Sequence, residues 1–198
     1  MITLLTGVPG VGKSTVAAGI CASDPGASVL NFGRVLFHLA RSRGASGLTY
    51  ETFRQRSWEF VDSALIEAAT SEAHDRISAA NRLEHVLVDS HAVSTEAYGF
   101  RSTPDTPRLL ELFSYDLIVQ LHAAPEVILE RHEASNNTGR LYRTVSDVAT
   151  ATALQFATST YYAGITGCTL HVVDASPGVE QVVATVLSLL SARQERSR

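Results

Sequence analysis

A glycine-rich loop set between an apolar strand and an alanine-rich helical stretch leaves this chain few folds to choose from. Ile2 to Thr6 reads as a short buried strand, and Gly7-Val8-Pro9-Gly10-Val11-Gly12-Lys13-Ser14 follows it directly. The spacing is G-x-x-x-x-G-K-[ST], and Thr15 continues into a helical segment. Each residue type has a mechanical reason. The glycines let the backbone turn its N–H groups inward and approach an anion closely. The helix behind presents unpaired N–H groups and the positive end of its dipole to the same anion. A lysine ammonium at this spacing reaches over the loop to β- and γ-phosphates, and the Ser14 hydroxyl is placed for Mg²⁺. Lys13 is the only lysine of the chain, and the other fifteen basic residues are arginines. Arginine is a rigid fork and lysine a compact charge on a flexible stem, so the retained lysine marks a position that arginine does not fill. Gly7, Val8, Pro9, Gly10, Val11, Gly12, Lys13, Ser14 and Thr15 are the expected triphosphate contacts.

Five short apolar runs read as buried parallel strands: Ile2–Thr6, Ser28–Asn31, Val86–Asp89, Leu117–Leu121 and Leu170–Val173. Helical patterns lie between them, over Lys13–Ala22, Phe32–Arg41, Thr49–Ala79, Pro107–Leu112, Pro125–Ala134, Thr144–Tyr162 and Val179–Arg193. Alternating strands and helices predict an α/β fold, a doubly wound parallel five-stranded sheet flanked by helices and joined by right-handed crossovers. A length of 198 residues suits one domain with a sizeable core.

Ligands of such sheets bind outside the carboxyl ends of the strands. The unusual residues gather there: the glycine loop after the first strand, Asn31-Phe32-Gly33 after the second, and Asp89-Ser90-His91 after the third. A carboxylate at the tip of a buried apolar strand suits Mg²⁺ or its waters, so Asp89 joins Ser14 as a candidate metal ligand. An aspartate capping the next turn is the alternative. His91 reads either as a substrate contact or as a hydrogen-bonded turn histidine.

Composition narrows the partners. A net charge of −4, with arginines spread along the chain, argues against nucleic-acid binding as the main task. Two cysteines, Cys21 and Cys168, make neither a disulfide framework nor a metal pattern. His74, His85, His122, His132 and His171 are scattered without metal-ligand spacing. No apolar run approaches the length of a membrane span, and no leader pattern precedes the first strand, so a cytoplasmic enzyme with no membrane partner is expected.

Four stretches, in order, resemble the archaeal-type adenylate kinases, a branch of the P-loop nucleoside monophosphate kinases. They are Thr6 to Thr15, Asn31-Phe32-Gly33-Arg34-Val35-Leu36-Phe37, Val88-Asp89-Ser90-His91, and Tyr161 to Thr169. The resemblance implies a P-loop NTPase fold and phosphoryl transfer from Mg·ATP to a nucleoside monophosphate, AMP being the first expectation. It also implies a helical segment, about 32–82, closing over the monophosphate, and a short lid, about 131–143, closing over the triphosphate. Members of the family form trimers, so a homo-oligomer is a further implication. Arg131, Arg140 and Arg143 bracket the polar lid loop and are expected on the transferring phosphoryl group. Arg54 is expected on the acceptor phosphate, with Asn31, Phe32, Gly33, His91 and Arg101 on the acceptor side.

The chain departs from the family in two places. The lid carries Arg140-Leu141-Tyr142-Arg143-Thr144 where the family has Arg-x-Arg-Asp, and the loop after Asp89 lacks the family's basic, proline-rich run. Two other functions stay open at this point. One is a small-molecule kinase acting on a hydroxyl, which would need Asp89 or His91 as base. The other is a nucleotide-switched ATPase that works through a partner protein.

Overall fold

The coordinates are a computed structural model and describe residues 1–45, 47–79, 85–96, 99–102, 110, 113–134 and 142–195. The central sheet joins β1 (Ile2–Thr6), β2 (Ala27–Asn31), β3 (His85–Asp89), β6 (Leu117–His122) and β7 (Thr169–Asp174). Its order is β2-β3-β1-β6-β7, and every pair is parallel. Between β3 and β6 lies an antiparallel hairpin of β4 (Val93–Glu96) and β5 (Gly99–Ser102).

The inner strands β1, β3 and β6 are buried on both faces and so are mostly apolar. By contrast β2 and β7, expected as buried, are edge strands and only partly covered, with Val29 39% and Val172 47% exposed. Leu4, Val86, Val88 and Ile118 face one core with Val35 and Leu36 of α2 (Phe32–Ser42), Leu65 and Ile66 of α5 (Ser63–Ala79), and Tyr162 of α7 (Val145–Thr166). Leu5, Leu87, Val119 and Leu121 face the other core with Val16 and Ile20 of α1 (Lys13–Ser23) and Val182 and Val186 of α8 (Val179–Glu195). Here α6 is Pro125–Ala134.

All five predicted strands and six of the seven predicted helical patterns have counterparts. Pro107–Leu112, the seventh, lies outside the described residues apart from Leu110. Thr49–Ala79, expected as one helical stretch, is instead three helices: α3 (Tyr50–Gln55), α4 (Ser57–Phe60) and α5. The first break falls at Arg56, whose ψ of 37 leaves the helical region, and the second at extended Val61. The third helix then starts afresh because the Asp62 carboxylate accepts from the Leu65 N–H at 2.6 Å, a side-chain cap. Phe53 packs against Phe37 of α2 and Phe60 of α4. The hairpin was not expected. The chain from Val93 to Ser102 has no turn pair of the Asn-Gly kind to announce it.

Candidate active site

The cleft at the carboxyl ends of β1, β2 and β3 encloses about 1100 Å³ and is lined by the loop residues Pro9 to Thr15, by Asn31 to Arg34, and by Asp89 to His91. The glycine loop owes its course to two contacts that exclude a side chain. Gly7 has φ +144, and a Cβ there would sit 2.5 Å from the carbonyl oxygen of Leu121. Gly10 has φ +85, and a Cβ there would sit 2.7 Å from the His132 ring. Gly7→Ala therefore combines backbone strain with a clash against backbone that cannot swing away. It is expected to destabilise the fold by about 2–4 kcal/mol, a fall in Tm of roughly 5–15 °C for a chain of this size. An unshifted thermal melt would contradict this.

Lys13 is only 6% exposed, and its ammonium is folded back on its own loop. Nζ donates to the Gly7 carbonyl at 2.7 Å and to the Val8 carbonyl at 3.3 Å, and lies 3.1 Å from His91 Nδ1. Burial lowers the Lys13 pKa to about 8, Asp89 works against that fall, and Arg54 adds to it. His91 Nδ1 is also 2.8 Å from the Gly7 carbonyl. Burial and the neighbouring ammonium drive its pKa down to about 3, so the ring is neutral. One Nδ1 cannot both accept from Lys13 and donate to Gly7, so the tautomer chooses between them.

Asp89 is 5% exposed at the tip of β3, and Leu5 and Asn31 are its register neighbours on the two flanking strands. Its Oδ2 accepts from Asn31 Nδ2 at 2.9 Å and from the Ser14 hydroxyl at 3.1 Å. Asn31 has a second task. Its Oδ1 accepts from the Arg34 N–H at 2.9 Å and caps α2, so β2 passes into α2 without a loop. Among the described residues no lysine or arginine forms an ion pair with Asp89. A buried carboxylate served only by neutral donors, beside a hydroxyl, is a donor set that suits a hard divalent cation. Among the described residues no cluster of three or more His, Cys, Asp or Glu could hold a metal on its own.

The arginines divide. Arg54, exposed on α3, and Arg101, on β5, both line the cleft. Arg101 Nη1 donates to the Val61 carbonyl at 2.6 Å, which ties the hairpin to the α3–α5 segment. Arg131 lines the cleft too, but its guanidinium spans the carbonyls of Val11 (3.1 Å) and Ala175 (2.9 Å), bracing the loop against the turn after β7. Arg143 is exposed and away from the cleft lining, and its backbone N–H donates to Asp147 in the cap of α7. Arg140 lies outside the described residues.

Several cleft residues carried no readable signal in the sequence. His132, one of the scattered histidines, has Nε2 3.0 Å from the Pro9 carbonyl and its ring against Gly10. Tyr142 is buried, stacks edge-on against His132, and shares a hydrogen bond of 3.2 Å with Thr95 of the hairpin. Arg34, named above in the stretch after β2, lies over the Tyr50 ring at 4.9 Å, a cation–π pair in the cleft lining.

A parallel sheet in this order, with a lysine-bearing phosphate loop after β1 and a carboxylate at the tip of β3, defines the P-loop NTPase fold. Residues 6–149 match the family described as AAA domain. Adenylate kinase of Saccharolobus islandicus (strain M.14.25 / Kamchatka #1) is 30% identical over 144 residues, 70% of this chain and 72% of that protein. Adenylate kinase of Thermoplasma acidophilum is 26% identical over 179 residues, 90% of this chain and 91% of its own. Among solved structures, deoxyadenosine kinase from M. mycoides with bound dATP superposes with a TM-score of 0.57 at 16% identity, covering 96% of this chain and 100% of that one. Shikimate kinase from Acinetobacter baumannii in complex with shikimate gives 0.59 at 16% identity, covering 96% and 93%. These two likenesses are of fold. The chain belongs to the AAA domain family it matches and to the archaeal-type adenylate kinases.

Proposed function

We propose that the protein is a nucleoside monophosphate kinase that moves the γ-phosphoryl group of Mg·ATP to a nucleoside monophosphate, with AMP the first candidate. The single observation carrying this is the convergence of Lys13, Ser14, Asn31, Asp89 and His91 on one cleft between the phosphate loop and α3. Kinship with adenylate kinases supports the choice of acceptor.

In this reading Gly10, Gly12 and the N-terminus of α1 cradle the phosphates, and Lys13 leaves its loop carbonyls to neutralise β/γ charge. Ser14 and Asp89 hold Mg²⁺, with Asn31 orienting the carboxylate. The cation, when bound, draws charge from the β- and γ-oxygens. Arg54 faces the acceptor phosphate, and Arg34 with Tyr50 walls that side. Segment 32–82 and the lid at about 131–143 close the site and exclude water, and the protein works in the cytoplasm. Phosphoryl transfer to a phosphate needs no general base, because the acceptor is already an anion. Transfer to a hydroxyl needs one. His91 Nδ1 is engaged with Lys13 or the Gly7 carbonyl and Asp89 Oδ2 already takes two donors, so only His91 Nε2 or Asp89 Oδ1 would be left for that task.

Two outcomes test the roles. Arg54→Ala is expected to raise the acceptor KM about ten-fold, the loss of one charge-assisted contact, and to leave the ATP KM within two-fold. An unchanged acceptor KM removes Arg54 from the site. The pH profile is the second. Lys13 must be charged to hold phosphate, and its pKa in the nucleotide-free protein is about 8. The kcat/KM for ATP, which reports the free enzyme, should therefore be level below that pH and fall ten-fold per unit above it. The kcat profile should break at higher pH, because bound phosphates favour the ammonium. A kcat/KM still level two units higher would contradict the assignment. Stability moves the other way. The unfolded lysine keeps its proton up to 10.5, so between about 8 and 10.5 the unfolded chain binds more protons and this group adds stability as pH rises.

A further inference from the structure

Gln155 lies in the middle of α7, far from the loop in sequence, and is 1% exposed. Its amide makes three backbone contacts. Oε1 accepts from the Val93 N–H at 3.1 Å, and Nε2 donates to the Val93 carbonyl at 3.3 Å and to the Gly7 carbonyl at 3.2 Å. The orientation is unambiguous, since a backbone N–H can only donate and so must face Oε1. The side chain therefore pairs with both polar groups of the residue that opens the hairpin, and with its remaining proton reaches the first carbonyl of the phosphate loop.

That carbonyl is crowded. Gly7 O has Lys13 Nζ at 2.7 Å, His91 Nδ1 at 2.8 Å and Gln155 Nε2 at 3.2 Å, three donor-capable nitrogens around two lone pairs. If Lys13 departs for a phosphate, a buried carbonyl with no other partner would be left bare, at a cost that weakens nucleotide binding. Gln155 remains, and His91 can serve the second lone pair once its Nδ1 is no longer needed by the ammonium.

We infer that Gln155 is a positioning residue for ATP, holding the Gly7 carbonyl satisfied and in place so that Lys13 can exchange it for the triphosphate. The inference rests on the cleft being an ATP site. It adds that the energetic cost of freeing the lysine is set from α7, outside the loop. Because the same amide fixes Val93, it also locks the turn carrying His91 in register with the loop.

The test is direct binding of Mg·ATP to wild type, Gln155→Met and Gln155→Glu, each checked by thermal melt, with the acceptor KM measured alongside. Wild type must bind. If it does not, the ATP-site reading itself fails, whatever Gln155 does. Given binding, both variants are expected to raise the Kd for Mg·ATP about ten-fold, the loss of a buried donor, with the acceptor KM moving less than two-fold. Methionine keeps the length of glutamine, and glutamate keeps the acceptor for Val93 while losing the donors. A Kd within two-fold of wild type, or equal losses on both substrates, overturns the inference. A measurement on the wild type stands apart from variant folding. The Gln155 side-chain amide protons should exchange slowly with solvent both free and saturated with Mg·ATP, and loss of protection on saturation overturns it equally.

Discussion

Lys13→Ala is expected to lower turnover by about 10²–10³-fold, the scale of losing one preorganised charge partner of a phosphoryl-transfer transition state. The fold should survive. In the nucleotide-free protein the ammonium is buried and pays for its desolvation, which is why its pKa falls to about 8. Removing it relieves that penalty, and Gly7 O keeps His91 and Gln155 as partners. An unchanged melting temperature with collapsed activity is thus the expected pair of results. Lys13→Arg should fare little better. Three polar atoms lie within 3.3 Å of Nζ, two of them carbonyl oxygens, and a planar fork presents its protons along fixed, divergent directions. A Lys13→Ala protein keeping more than a tenth of its activity would remove the lysine from the chemistry.

Asp89→Asn is the second large effect. The change nearly preserves shape but removes the charge that a divalent cation requires, and it sets an amide where Ser14 and Asn31 both donate. Turnover at fixed Mg²⁺ should fall about 10–100-fold, with the half-saturating Mg²⁺ concentration displaced upward by a similar factor. Titrating Mg²⁺ at saturating ATP separates this from a folding defect, since excess metal should restore part of the rate. A variant with wild-type Mg²⁺ dependence would leave Asp89 as a turn-capping residue only.

The sequence carried the sheet and the phosphate side of the cleft well, for physical reasons. The inner strands are mostly apolar because both their faces are buried, and the loop's geometry favours glycine at Gly7 and Gly10, so both signals are local. Asn31 and Asp89 were visible because strand ends in such sheets meet at one edge, and the register sets them side by side. The helical side of the cleft was less legible. Gln155 and His132 act through contacts more than a hundred residues away along the chain, and a polar residue on a helix gives no hint that it is buried. Arg131 looked like any lid arginine, yet its guanidinium braces two carbonyls. Arg143 begins a helix cap in a Thr-x-x-Asp box that a reading of the lid as a row of arginines passed over. The hairpin strands Val93–Glu96 and Gly99–Ser102 escaped because their contacts run to Tyr142, Tyr162 and Val61, all distant in sequence.

The most direct test is a coupled ADP-release assay with Mg·ATP, run with AMP, CMP, UMP, GMP, the deoxynucleoside monophosphates and no acceptor. A nucleoside monophosphate kinase gives fast ADP release that depends on one monophosphate, AMP first among them, and a matching diphosphate product. Slow release at the same rate with every acceptor and with none would contradict it, and would leave an ATP-hydrolysing switch or a kinase for another metabolite.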